Sequence, residues 1–231
     1  MSKWQPHWEA ITPACRAALD ALRKQSFIRK FYLAGGTALA LQFGHRISQD
    51  LDWFSSSAQL KKAERDKIRR ALERAGSFVV TSEQDTMLFT RLLEAEVSFV
   101  YQHHPLLDPT VDLNGLALAS PTDIGLMKLA AIKARGTRRD FVDLYCLRPI
   151  ITLDRLIDLA EVKYADRPDF LLILARALAY FEDAERQPMP KMFKRVRWAD
   201  VKRYAQAGAL YIVQQQRKKA QRDAQPGKVS T

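Results

Sequence analysis

Two aspartates, Asp50 and Asp52, stand two residues apart inside the run SQDLDWF, where Leu51, Trp53 and Phe54 favour burial. Alternate side chains of a strand share a face, so both carboxylates point one way while Leu51 and Trp53 point the other. Two close carboxylates repel. Buried without a counter-charge, they cost several kcal/mol or stay protonated. A hard divalent cation resolves the conflict. Mg²⁺ (or Mn²⁺) takes one or two protein carboxylates and fills its remaining positions with water and phosphate oxygens. The same spacing also fits a strand whose acids sit on a wet face, one of them paired with Arg46.

Fifteen residues before Asp50, Gly35-Gly36-Thr37 closes the apolar run FYLA. Paired glycines at a strand end, ahead of a helix, let backbone N–H groups approach a phosphate closely. Strand, glycine turn, helix and Asp-x-Asp strand, in that order, suit a nucleoside triphosphate. The turn would hold its outer phosphates and the carboxylates its metal. Arg46, between the two, is a further candidate contact for the nucleotide.

A second group lies in SPTDIGLMKLAAIKARGTRRDFVDLYCL. Lys128 and Arg135 are seven apart on one expected helix, and Asp140 and Asp143 three apart on the next, so each pair shares a face. Gly136 permits a tight turn between them. Folding the helices together would set two cations against two anions. This serves equally as a structural ion set, and Arg139 with Asp143 has the i,i+4 spacing of an ordinary helix pair.

The segments GGTALALQFGHRISQDLDWF and SPTDIGLMKLAAIKARGTRRDFVDLYCL resemble the AbiEii-type nucleotidyltransferases, toxins of bacterial abortive-infection and type IV toxin–antitoxin systems within the DNA polymerase β-like superfamily. The likeness covers residues 31–147. It implies an α+β fold: a polymerase β-like core with a mixed sheet flanked by helices, followed by a helical C-terminal region. It implies Gly35, Gly36 and Thr37 as the phosphate turn and Asp50 and Asp52 as metal ligands. Lys128 would meet the phosphates, one of Asp140 and Asp143 would orient Lys128 or the incoming hydroxyl, and Arg135 and Arg139 complete the pattern. The implied reaction uses NTP and Mg²⁺ to transfer an NMP to an RNA or tRNA 3′ end or a protein hydroxyl, with a cognate antitoxin as a possible partner. A third acid is common in that superfamily. On the strand EAEVSFVYQ its place aligns with Ser98, and Glu96, on the same face, is the candidate substitute ligand; Glu94 and Glu96 are equally well read as solvent-facing.

These residues need elements to hold them. Periodicity predicts a helix over residues 7–24, strands over 31–34 and 48–54, a helix capped by Thr37, and a charged helix over 59–75 closed by Gly76. Strands over 78–81, 87–92 and 95–101 form a meander. Ser120-Pro121-Thr122-Asp123 starts a run of helices, with later ones over 138–148, 152–163, 168–185 and 198–219. The proline- and glycine-bearing stretch 105–120 divides the chain into a core (1–115), a helical domain (116–219) and a basic, disordered tail (220–231).

The chain has 231 residues, 47% apolar and 27% charged, as a globular protein would. No apolar run reaches the ~20 residues of a membrane span and no leader pattern opens the chain, so a cytoplasmic protein with no membrane partner is expected. Cys15 and Cys146 have the spacing of neither a zinc site nor a disulfide framework and read as free thiols. Of the net charge of +11, residues 190–231 carry +9, from eleven Lys/Arg and two Asp. Such an end fits a polyanion, nucleic acid first, and equally a solvated helix face. Two other functions remain compatible: a nucleic-acid-binding module without chemistry, and a γ-phosphate transferase.

Overall fold

A computed structural model describes residues 4–223. In chain order its elements are α1 (Pro13–Arg23), β1 (Tyr32–Ala34), α2 (Gly35–Phe43), β2 (Asp50–Ser55), α3 (Lys62–Ala75), β3 (Phe78–Gln84), β4 (Met87–Leu92), β5 (Ala95–Tyr101), β6 (Val111–Leu113), β7 (Leu116–Leu118), α4 (Pro121–Ala134), α5 (Arg138–Cys146), α6 (Leu153–Lys163), α7 (Phe170–Ala179), α8 (Glu182–Glu185) and α9 (Trp198–Asp223). The fold is α+β, with a helical C-terminal region.

The chain forms two compact units. The first is Met1–Met127 with Met189–Arg195; the second is Lys128–Pro188 with Val196–Thr231. The first is built on one mixed sheet of order β3-β4-β5-β2-β1-β7-β6. β2 runs antiparallel to β1 and parallel to β5, and β3, β4 and β5 form the expected antiparallel meander.

The sheet's two faces differ because β2 alternates. Leu51 and Trp53 are fully buried, as are Leu33 and Phe99, their neighbours on β1 and β5. The rings of Phe27, Phe31 and Phe99 stack edge-to-face at centroid distances of 5.4 to 6.2 Å over this side. On the other face lie Asp50 and Asp52, half-buried, with Glu96 and Ser98 as their partners on β5. The apolar face fixes the register, since a slip of one residue would send both aspartates into the core.

Several boundaries differ from the sequence reading, each for a local reason. The first helix starts at Pro13, with the Thr12 hydroxyl accepting from Cys15 N, and is preceded by a 3₁₀ turn at Trp8–Ala10. Helix α2 begins at Gly35, so Thr37 lies inside it and caps nothing. The stretch 105–120, where the sequence places the domain boundary, contributes β6 and β7, and β7 pairs parallel with β1; the two units divide at Met127 and Lys128. The expected helix over 168–185 is broken at Tyr180, giving α7 and α8. The start of α4 is as expected, with the Ser120 hydroxyl accepting from Asp123 N at 3.0 Å and donating to the Asp123 carboxylate at 2.9 Å. Of the expected tail over 220–231, Ala220–Asp223 continue α9 and the rest lies outside the described residues.

Residues 189–195 return to the first unit after the helices. Ile47 N donates to Lys191 O, Phe193 N donates to His45 O, and Arg46 bridges to Met192. The short segment between α2 and β2 is thereby held by residues far away in sequence.

Candidate active site

Within the first unit, β1 runs straight into the glycine turn, and Ala34 at its end pairs with Asp52. Gly35 has φ +66°, a conformation costly for any residue with a side chain. A Cβ there would also lie 2.8 Å from Asp52 Oδ2. Gly35 is thus required twice, for its backbone and for the space its missing side chain leaves to the carboxylate. A Cβ on Gly36 would lie 2.1 Å from Arg46 Nη2, and Arg46 is 4% exposed, so its guanidinium has little room to withdraw. The two glycines admit Asp52 and Arg46 against the first turn of α2. The amide groups of that turn carry the partial positive charge of a helix N-terminus.

Asp52 is oriented from its other side. Ser98 donates to Asp52 Oδ1 at 2.7 Å across the parallel β2–β5 pair. Asp52 Oδ1 meets a hydroxyl, Oδ2 faces Gly35, and among the described residues no cationic side chain pairs with this carboxylate. Thr37 is buried, and its hydroxyl donates to the backbone carbonyl of Asp50, tying α2 to β2.

Glu96 does not join the pair. Its carboxylate receives Arg91 Nε at 2.9 Å and Nη2 at 2.6 Å, at an exposed position. Register explains this: Arg91 of β4 lies directly opposite Glu96, whereas the residue beside Asp52 is Ser98. Among the described residues, no group of three or more His, Cys, Asp and Glu is arranged to hold a metal ion. Two half-buried carboxylates on one strand face nonetheless match the one or two that Mg²⁺ ordinarily takes from protein.

The second unit assembles the other motif. Lys128 Nζ donates to Asp140 Oδ1 at 2.8 Å and pairs with Asp143 Oδ2 at 2.7 Å. The lysine side chain is 7% exposed and both carboxylates are fully buried. Arg135 Nε reaches Asp140 Oδ2 at 3.3 Å from a largely exposed position, and Thr137 donates to the same oxygen. Burial pushes the Asp140 carboxyl up, but the adjacent Lys128 charge and the bonds from Lys128 and Thr137 outweigh it, holding the group below the usual carboxylate range. Asp143 is engaged by Lys128. Arg139 itself is exposed on α5.

Sequence reasoning named the residues of both clusters but missed two contacts. Ser98 was read as a missing acid and not as a donor to Asp52. The signal was its alignment beside Asp52 once the strands are paired parallel. The packing of Arg46 on Gly36 left no sequence signal beyond the glycine itself.

A model of the family described as nucleotidyl transferase AbiEii toxin, type IV TA system, matches residues 17–210. The chain belongs to this AbiEii family. The match reaches well beyond residues 31–147, taking in most of α1 and most of the helices of the second unit. A relative from Aquifex aeolicus (strain VF5), itself described as uncharacterised, is 35% identical over 178 residues, 74% of this chain and 84% of its own length. Among solved structures, JHP933 from Helicobacter pylori superposes with a TM-score of 0.51 at 17% identity, covering 90% of this chain and 92% of that one. That likeness concerns the fold alone. An AbiEii protein is a nucleotidyltransferase toxin, so this chain is a transferase of that kind. No helix among the described residues is long and apolar enough to cross a membrane.

Proposed function

We propose that this AbiEii protein moves a nucleoside monophosphate from an NTP to a hydroxyl, with an RNA or tRNA 3′ end as the acceptor, in a Mg²⁺-dependent reaction. The observation that carries this is the pair Asp50 and Asp52 on one strand face, with Asp52 Oδ2 against Gly35 at the start of α2. The acceptor oxygen attacks the α-phosphorus, the bond to the β-phosphate bridging oxygen breaks, pyrophosphate leaves and the hydroxyl proton is lost. Asp50 and Asp52 would hold Mg²⁺ (or Mn²⁺), which when bound offsets triphosphate charge and lowers the pKa of the attacking hydroxyl.

The chain's own groups supply the rest. The Gly35-Gly36 turn offers main-chain N–H groups to phosphate oxygens. Arg46 places a positive charge beside that turn. Ser98 fixes the Asp52 rotamer and Thr37 locks the turn to the strand; both are positioning residues. Lys128, with Asp140 and Asp143, holds α5 to the C-terminal part of α4. Arg135 and Arg139 are exposed cations on the same unit, and their guanidinium groups suit phosphate oxygens. The net charge of +9 over residues 190–231 favours a polyanionic acceptor. A cognate antitoxin and a cytoplasmic location accord with the family.

The test is incubation with each α-labelled NTP, Mg²⁺ and total RNA, beside the Asp52→Ala variant. Label on RNA with the wild type and none with the variant is the expected result. Label on protein alone changes the acceptor class. Transfer from γ-labelled NTP alone replaces the reaction with phosphoryl transfer. Salt-dependent RNA binding with no transfer under any base or metal leaves only a binding module.

A further inference from the structure

Helix α7, FLLILARALA, has a single charged residue, Arg176. A helix apolar around its whole circumference belongs in an interior. Only one side of α7 has one: Phe170, Leu171, Leu174 and Leu178 are buried, while Leu172 is 55% and Ile173 40% exposed. Helix α9 lies against α7 and repeats the pattern. Val201, Ala205 and Ile212 are buried beneath it, but Leu210 is 63% and Val213 41% exposed. Between the two helices runs an open groove of about 650 Å³, lined by Leu172, Ala175, Ala179, Ala209, Leu210 and Val213. Arg176 and Gln206 are its polar edges. No aromatic ring lines it, so it offers no stacking platform for nucleic-acid bases.

The surrounding charge selects the occupant. Arg176 is exposed on the α7 side. On α9, Arg217 follows Val213 by four, a spacing that keeps it on the groove's face, while Arg203, seven before Leu210, is paired with Asp200. No acid is among the residues that line the groove. A second copy of the chain would bring these arginines against their equivalents. Residues 224–231, AQPGKVST, hold one valine, one lysine and no acid, a poor match to an apolar, basic groove.

We propose that the α7–α9 groove is a docking site for an acidic amphipathic helix of another protein. Its apolar side chains at i, i+3, i+4 and i+7 would seat over Leu172, Leu210 and Val213, and its flanking Glu or Asp would meet Arg176 and Arg217. This is the helix-in-groove mode of recognition, with charge setting the choice of partner.

The test uses the full chain and two fluorescent synthetic helical peptides. Both carry leucines at i, i+3, i+4 and i+7; one has Glu on the flanks and the other Lys. The Glu peptide is expected to bind at least tenfold more tightly by anisotropy and to slow amide exchange in residues 170–179 and 203–217. Leu210→Glu and, separately, Arg217→Glu should each weaken it at least tenfold; both sites are exposed, and circular dichroism checks that the fold is kept. Equal binding of the two peptides overturns the proposal, as does protection elsewhere in the chain. Concentration-dependent dimerisation abolished by Leu210→Glu would reassign the groove to a second copy. Loss of RNA binding in the same variant, with peptide binding unchanged, would reassign it to nucleic acid.

Discussion

The two aspartate pairs in this chain are treated in opposite ways. Asp140 and Asp143 are fully buried and share the ammonium of Lys128, with Arg135 and Thr137 completing the shell of Asp140. Their charge is answered by the protein itself. Asp50 and Asp52 are half-buried, and the Asp52 carboxylate accepts from a neutral hydroxyl, that of Ser98, beside a glycine that clears space at its other oxygen. A carboxylate left without a cation of its own at a helix start suits a cation and phosphates that arrive from outside. Asp140 is held within the protein's own charges and Asp52 faces a hydroxyl and a glycine, though each belongs to a pair of acids at short spacing.

Removing the internal cation should have the largest effect. Lys128→Met removes the ammonium that two buried carboxylates share and is expected to cost about 3–5 kcal/mol of stability in urea unfolding. The triple variant K128M/D140L/D143L should recover most of that loss, because well-packed apolar groups often replace a buried ion set at little cost. The same triple sharpens the functional side of the comparison. If it folds and still transfers nucleotide, the set is structural. If it folds and is dead, Lys128 has the phosphate role that the family likeness implied, and the contrast drawn here breaks.

At the open site the order of effects reverses. Asp52→Ala should lower kcat by about 10²–10³-fold, the scale of losing one preorganised stabiliser of transition-state charge. Its urea midpoint should stay near that of the wild type, since the residue is half-buried and no ion pair is broken. A large loss of stability in this variant would make Asp52 a structural residue like Asp140.

Ser98 offers a finer cut. Ser98→Ala removes the hydrogen bond that orients Asp52 and should lower kcat about tenfold, the low end for groups that orient metal ligands. Ser98→Asp would restore a carboxylate at the aligned position. If Ser98→Ala raises KM alone and leaves kcat unchanged, the serine meets substrate and does not position Asp52.

Much of this contrast was legible before any coordinates. The meander β3–β4–β5 and both carboxylate pairs follow from period-two and period-3.6 patterns, which depend only on neighbours in the chain. The start of α4 was legible for the same reason, as Ser120, Pro121 and Asp123 carry their own local signal. Long-range placement was not. β6 and β7 are three residues each, too short for periodicity to register, and they exist because β7 pairs with β1. The return of residues 189–195 to bridge Arg46 is a pairing between segments about 145 residues apart. Thr37 read as a helix cap because Gly35 with positive φ is an unusual first helical residue, and only the strand beneath, at Asp50, explains where its hydroxyl goes. The role of Ser98 depended on β2 and β5 being parallel, which fixes Asp52 beside Ser98 and Asp50 beside Glu96.

The smallest predicted effect lies in pH. The folded-state pKa of Asp140 is depressed, so its contribution to stability is fully present above the ordinary carboxylate pKa and is lost as pH falls through the folded value. With unfolded aspartate near ~3.9, the wild type should begin to lose this contribution below about pH 4. Exposed carboxylates add their own acid dependence, so the informative quantity is a difference. Urea midpoints followed from pH 6 to pH 3 should fall more steeply for the wild type than for K128M/D140L/D143L, which has no buried carboxylate at this place to protonate. Asp52→Ala should track the wild type over the same range, because the buried ion set is intact in both. Parallel curves for the wild type and the triple variant would mean that the Lys128 set gains nothing from ionisation, and the contrast between Asp140 and Asp52 would lose its energetic basis.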